Sequence, residues 1–198
     1  GTPGRLFRIS FSGELAYEVA VPARYGDALI REIIAAGEEF DITPYGTEAL
    51  GVMRIEKGHV TGAELNGQMT AFNVNMNSMV SIKKDSIGSV LSRREVMVAD
   101  NQVRLVGVKT VEKTDSLSSG AHFLVKNDKP TTTNDQGWIT SVCYSPHFEQ
   151  HIGLGFLERG HERHGEIIRA WDGVRGTDVL VEIVSSHMYD PEGGLQRG

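Results

Sequence analysis

The apolar positions of the chain change period twice, and the changes divide it into zones. Residues 6–12 and 15–21 alternate as two strands around the turn Ser12-Gly13-Glu14, with Leu15, Tyr17, Val19 and Val21 on one face of the second, which Pro22 ends. From 23 to 36 the period lengthens to that of a helix. Tyr25, Leu29 and Ile33 recur every four residues, Ile30 and Ile34 join them, and Gly37 is the expected stop. A second helix is expected over 46–57, behind Thr43-Pro44, with Leu50, Met53 and Ile55 for packing and Gly58 as terminator. Asp85 is expected to cap a short third helix over 86–94.

Beyond Asn101 the pattern becomes short and β-rich. Strands are expected over 103–111, 121–125, 137–144, 152–157, 166–170 and 179–183. Turn-prone segments such as Asn127-Asp128-Lys129-Pro130, Asn134-Asp135-Gln136-Gly137 and Trp171-Asp172-Gly173 separate them. Six strands at this spacing predict a small antiparallel barrel or sandwich, so the chain divides near residue 100 into an α+β half, 1–100, and an all-β half, 101–198.

Composition narrows the chemistry. A formal net charge of −6 leaves no basic stripe to neutralise phosphates, which argues against a nucleic-acid binder. No apolar run approaches the roughly 18–20 residues of a membrane span, so no membrane partner is expected. The single cysteine, Cys143, permits no intrachain disulfide and points to a reducing, cytoplasmic compartment; its strand-like neighbours predict a buried inert thiol. The chain opens at Gly1 close to a strand-like run, as expected of a processed or cloned fragment.

Few residues suggest chemistry by themselves. Gly153-Leu154-Gly155 lacks the third glycine of a dinucleotide fingerprint and lies among strands. His161 and His164 sit in a glycine-bounded loop without a third ligand at metal spacing, so no metal site is expected. Ser145-Pro146-His147 reads as a strand-end turn, with no carboxylate partner to make it a triad. Glu14 and Glu18 share a strand face if the strand extends back to Glu14. Two readings of that face stand: a solvated surface carrying two glutamates, or a carboxylate that accepts N–H donors from a flat heterocycle beside an aromatic ring.

The order of short motifs carries more. Phe11-Ser12-Gly13-Glu14-Leu15-Ala16-Tyr17-Glu18 resembles the Gly-Glu signature of the aminomethyltransferase (glycine-cleavage T-protein) family. Arg54-Ile55-Glu56-Lys57-Gly58 resembles its Arg-Leu-Glu helix end, and Lys83-Lys84-Asp85-Ser86-Ile87-Gly88 its Lys-x-Asp-Phe-Ile-Gly segment. Gly137-Trp138-Ile139-Thr140-Ser141, Ser145-Pro146 and Gly153-Leu154-Gly155-Phe156 resemble its barrel pattern. Thr43-Pro44-Tyr45-Gly46-Thr47-Glu48 and the tail Tyr189-Asp190-Pro191-Glu192-Gly193 resemble the C-terminal region of sarcosine oxidase α subunits within that family.

The resemblance implies an α+β fold: part of a folate-binding aminomethyltransferase domain followed by a small antiparallel β-barrel. It implies capture by tetrahydrofolate of a one-carbon unit from an oxidised N-methyl amine, in an enzyme with other sarcosine oxidase subunits as partners. Glu18 is then the pterin-holding carboxylate, with Phe11, Tyr17, Glu14 and Arg54 completing the cofactor-binding set. Phe11 stands where the family carries a tyrosine, and Leu50 where it carries a folate-tail arginine. The catalytic aspartate is expected before residue 1, and flavin and NAD in other segments or subunits. Residues 59–80 match loosely, and the Asn-rich stretch 73–77 departs from the pattern. A stand-alone aminomethyltransferase for another methylated amine and a non-catalytic scaffold remain the alternatives.

Overall fold

The computed structural model describes every residue except Gly1, Ile82 and Thr132. Its second half is a closed antiparallel barrel, ordered β3-β6-β5-β4-β7-β8. The strands are β3 (Val103–Thr110), β4 (His122–Leu124), β5 (Gly137–Ser145), β6 (Gln150–Glu158), β7 (Ile167–Asp172) and β8 (Thr177–Val184). All six expected strands are present, and the choice between barrel and sandwich is settled by β3 pairing with β8, from Gly107 opposite Val184 to Thr110 opposite Val181. Closure leaves the start of β3, before Gly107, as an edge that β8 does not cover.

Two apolar clusters explain the strand sequences. One gathers Val106, Val108, Phe123, Ile139, Leu157, Ile168, Val181 and Ile183. The other joins Leu105, Ile152, Leu154 and Phe156 to Ile55 and Val74, which come from the first hundred residues. Strand β6 belongs to both, so Ile152 to Leu157 are buried without interruption. A strand covered on both faces loses its alternation.

The first hundred residues are organised differently. Strands β1 (Arg5–Phe7) and β2 (Glu18–Ala20) form a two-stranded ribbon in which Phe7 faces Glu18 and Leu6 faces Val19. Both strands are far shorter than expected, and residues 8–17 form an irregular loop. Leu15 and Tyr17 therefore lie outside β2, and Glu14 does not share a strand face with Glu18. Positive φ at Gly13, 95°, breaks the extended run.

Helix α1 (Gly26–Gly37) follows a short 3₁₀ turn and buries no residue completely. The α-helix ends at Gly37 as expected, but Gly37 keeps helical φ and the chain continues through a 3₁₀ turn to Asp41, which takes the left-handed conformation. Glycine is needed at position 37 because a Cβ would lie 2.6 Å from Ile42. Helix α2 (Thr47–Lys57) ends as predicted at left-handed Gly58, with Gly58 N–H donating to Ile55 and His59 N–H to Arg54. It packs on β5 and β6 and inserts Ile55 into the second cluster, a burial that contributes about 2 kcal/mol. The third helix is shorter than expected. α3 (Ser89–Ser92) follows left-handed Gly88 and has no side-chain cap, so Asp85 does not serve as one.

The Asn-rich stretch docks on the barrel. Asn73 donates to the Val103 carbonyl and its own carbonyl accepts from Leu105, Asn75 donates to the Leu105 carbonyl, and Arg104 donates back to Asn75. These amides supply backbone partners along β3 where another strand would otherwise be needed. The chain ends in α4 (Gly194–Arg197), which lies against the 8–17 loop: Leu15 N–H donates to the Leu195 carbonyl. No helix among the described residues is long and apolar enough to cross a membrane.

Candidate functional site

Three consecutive charged or apolar side chains at the end of α2 reach different places because a helix turns by about 100° per residue. Arg54, the residue just before them, points to the barrel, where its guanidinium donates to Ser141 Oγ at 2.8 Å and lies 3.4 Å from Glu64. Glu64 is fully buried and accepts from Thr140 and Ser141 hydroxyls at 2.5 and 2.6 Å and from Thr61 N–H at 2.8 Å. Burial opposes its charge, but the hydrogen bonds from Ser141, Thr140 and Thr61, with Arg54 nearby, outweigh it and hold the carboxyl below its ordinary value. Arg54 is thereby committed to a buried ionic hub between α2 and β5.

Glu56 and Lys57 continue the pattern. Ser145 Oγ donates to Glu56 at 2.5 Å and accepts from Phe148 N–H. Ser145 thus has a carboxylate partner that sequence could not name, yet it is fully buried. His147 packs edge-on against Phe148 and Tyr189, so the segment is the strand-end turn expected of it. Lys57, 4% exposed, donates to the carbonyl of Asp190 at 2.7 Å and to its carboxylate at 2.8 Å. The bond to Lys57 holds the Asp190 carboxyl below its usual range.

The Gly-Glu loop sits over this corner. Gly13 lies against the Lys57 stem so closely that a Cβ would come within 2.7 Å of Lys57 Cγ. His59 Nδ1 is 3.1 Å from the Phe11 carbonyl, which can only accept, so Nδ1 carries the proton. Their rings stand 6.1 Å apart. Burial, the larger effect, and the Lys57 charge keep His59 neutral by lowering its pKa, against the opposing pull of the Phe11 carbonyl. His187 is lowered too, by burial and then by His59 and Lys57.

Of the sequence-predicted residues, Phe11 and Glu14 are gathered at this corner: Glu14 accepts the Tyr189 hydroxyl at 3.2 Å. Glu18 lies on the ribbon, exposed, directly across from Phe7, and among the described residues its carboxylate makes no hydrogen bond or ion pair. Tyr17 beside it is 55% exposed. Arg54 is turned away from them. Sequence reasoning missed Glu64, Lys57 and Asp190. The available signal was the placing of Glu56, Lys57 and Glu64 around an apolar helix end, next to Thr140-Ser141 in the barrel pattern.

Other expectations resolve simply. Cys143 is half-buried, and burial followed by the Glu56 charge pushes its thiol up to about 12, which leaves it protonated and unreactive. His161 lies in a 3₁₀ turn at Gly160–Glu162, and His164 is exposed beyond it.

With a short ribbon and with α2 packed on a six-stranded barrel, the architecture matches a known one. The GCVT N-terminal domain model matches residues 1–84, and the glycine cleavage T-protein C-terminal barrel domain model matches 104–190. The chain belongs to the aminomethyltransferase (glycine-cleavage T-protein) family. Within it, the chain is 43% identical to the sarcosine oxidase subunit alpha of Rhizobium meliloti over 96% of its length, which is 19% of that protein. It is 28% identical to an aminomethyltransferase of Aquifex aeolicus, covering 87% of this chain and 44% of that one. The crystal structure of aminomethyltransferase T from Bartonella henselae superposes with a TM-score of 0.78 at 18% identity, over 95% of this chain and 50% of that one. The chain spans about a fifth of the sarcosine oxidase subunit and about half of the aminomethyltransferases.

Proposed function

We propose that this chain is the tetrahydrofolate-holding portion of a sarcosine oxidase α subunit, in which a one-carbon unit from an oxidised N-methyl amine is captured as 5,10-methylenetetrahydrofolate. The observation that carries this reading is the similarity to such a subunit along nearly the whole chain. Residues 1–100 are then the C-terminal part of the folate-binding domain and 101–198 its barrel, working in the cytoplasm beside the other subunits of the oxidase.

The chemistry of the exposed residues fits a pterin. A pterin edge presents adjacent N–H donors that a carboxylate accepts as a pair, and its flat ring packs on aromatic faces. Glu18 offers an uncommitted carboxylate with Phe7 across the ribbon. Phe11 and Tyr17 are exposed aromatics on the adjoining loop. Tetrahydrofolate, when bound, supplies the amine nitrogens that take up a one-carbon unit at the oxidation level of formaldehyde. In this reading Glu18 orients the heterocycle, Phe11 and Tyr17 keep water from its faces, and Glu14 holds the loop through Tyr189. Arg54 is left out of the contact set because Glu64 and Ser141 retain it.

That retention, with phenylalanine at position 11, favours a second reading, a scaffold domain that no longer takes folate. Calorimetric titration of tetrahydrofolate into the intact enzyme containing this chain, beside its Glu18→Gln variant, separates the two. Saturable binding that weakens by at least roughly a hundredfold in the variant, as expected when a charged hydrogen-bond acceptor is lost, supports the folate site. Absence of binding by the intact enzyme overturns it. A stand-alone aminomethyltransferase would bind folate as well but lack amine oxidation.

A further inference from the structure

We infer that the C-terminal tail is the device that sets the position of the Gly-Glu loop, with Asp190 as its anchoring residue. The inference rests on the folate reading of that loop for its functional consequence, though not for its structural one.

The loop lacks the usual means of fixing a backbone. The ribbon it connects has no buried residue on either strand, and α1 buries none completely, so no core reaches it from that side. Besides Lys57 and His59, which reach Gly13 and Phe11 from the end of α2, its partners come from 175 to 189 residues away in sequence. Tyr189 N–H donates to the Glu56 carbonyl at 2.9 Å, which fixes the tail to the end of α2. Tyr189 Oη then donates to Glu14 at 3.2 Å, Leu15 N–H donates to Leu195 O at 2.9 Å, and Arg8 donates to the Gln196 and Arg197 carbonyls at 3.2 and 3.0 Å. The tail therefore grips the loop on both sides of Gly13.

Asp190 organises this grip from its centre. It accepts Lys57 Nζ through both its carbonyl and its carboxylate. The same carboxylate accepts the N–H groups of Gly194 and Leu195 at 2.9 and 3.1 Å, turning the tail back over the loop. Asp190 adopts a left-handed φ of 44° and Gly193 one of 65°, the geometry that turn requires. Lys57, pulled inward by Asp190, lays its methylene stem beneath Gly13, where any side chain larger than hydrogen would collide. One carboxylate thus fixes the tail, the lysine under the loop and, through both, the approach from Phe11 to Glu18. Preorganisation of this kind lowers the ordering cost that a ligand must meet on binding.

Asp190 is a positioning residue in this account and touches no substrate. The test uses the intact enzyme with Asp190→Asn, Lys57→Met and Arg8→Gln variants, the second keeping the apolar stem and the third cutting only an exposed link. Hydrogen exchange followed by mass spectrometry is expected to show faster exchange at residues 10–18 in each, together with residues 189–198. Tetrahydrofolate binding is expected to weaken roughly tenfold in Asp190→Asn and Lys57→Met, with the rate of amine oxidation unchanged. Faster exchange confined to the tail, with residues 10–18 as protected as before, overturns the inference even if Asp190→Asn disturbs folding, because Arg8→Gln reports on its own. Loosening of residues 10–18 in an enzyme that binds no folate would sustain the tail's role and sink the folate reading.

Discussion

The ribbon and the barrel use the same kinds of residue and reach opposite outcomes. In the barrel, Val, Ile, Leu and Phe from six strands meet one another, and Val106, Val108, Phe123, Ile139 and Phe156 are wholly buried. In the ribbon and its connecting loop, Leu6, Phe7, Ile9, Tyr17 and Val19 are each at least two-fifths exposed. Among the described residues, every buried apolar residue apart from Ile55 and Val74 lies beyond residue 104. The difference is not propensity. A barrel closes on itself and supplies each strand with two neighbours and a shared interior. A two-stranded ribbon keeps two free edges and has no second layer to bury against, so its apolar side chains stay exposed whatever their pattern.

The contrast is broken most severely from within the barrel. Phe123→Ala is expected to cost about 4 kcal/mol, since the ring is wholly enclosed in the first cluster; chemical denaturation of the chain measures it. A loss below about 1 kcal/mol would mean that the barrel interior collapses to fill the space and is less tightly packed than drawn.

The ionic hub between the two regions comes next. Glu64→Ala leaves Arg54, Thr140 and Ser141 without their shared acceptor and is expected to cost about 3 kcal/mol in the same assay. Its pH dependence has a definite sign. The folded Glu64 carboxyl is held below its ordinary value, so its contribution is complete above the unfolded carboxyl range near 4.3 and is lost as pH falls through the folded value. The wild-type chain should therefore lose more stability on acidification through that window than Glu64→Ala does.

The ribbon should respond least. Leu6 and Val19 are cross-strand partners, and replacing both with serine is expected to change stability by no more than about 0.5 kcal/mol. Sedimentation of the isolated chain should show reduced self-association, because the substitutions break an exposed apolar patch. A larger loss of stability would show that the ribbon is packed against a surface, and that its contrast with the barrel is one of partners present or absent.

Legibility followed the same division. The strands from 103 onwards were readable because each β-rich run, even the one around three-residue β4, stands between turn-prone segments, and α2 because its glycine stop is local chemistry. Residues 8–12 and 15–17 were read as strand because alternation persists there although no partner strand does. At the candidate site, motif order pointed to Glu18 and Phe11, while Arg54, from the helix-end motif, faced the other way.

What the sequence alone determined were the local choices: the six strands from residue 103 onwards, the terminator at Gly58, the unreactive setting of Cys143 and the family to which the ordered motifs belong. Tertiary structure decided which charged groups meet. Lys57 finds Asp190, Glu64 finds Thr140 and Ser141, and Ser145 finds Glu56 across separations of 76 to 133 residues. Hydrogen-bonded pairs so distant carry no periodicity, since their spacing along the chain is set by how the barrel closes and how the tail returns across α2.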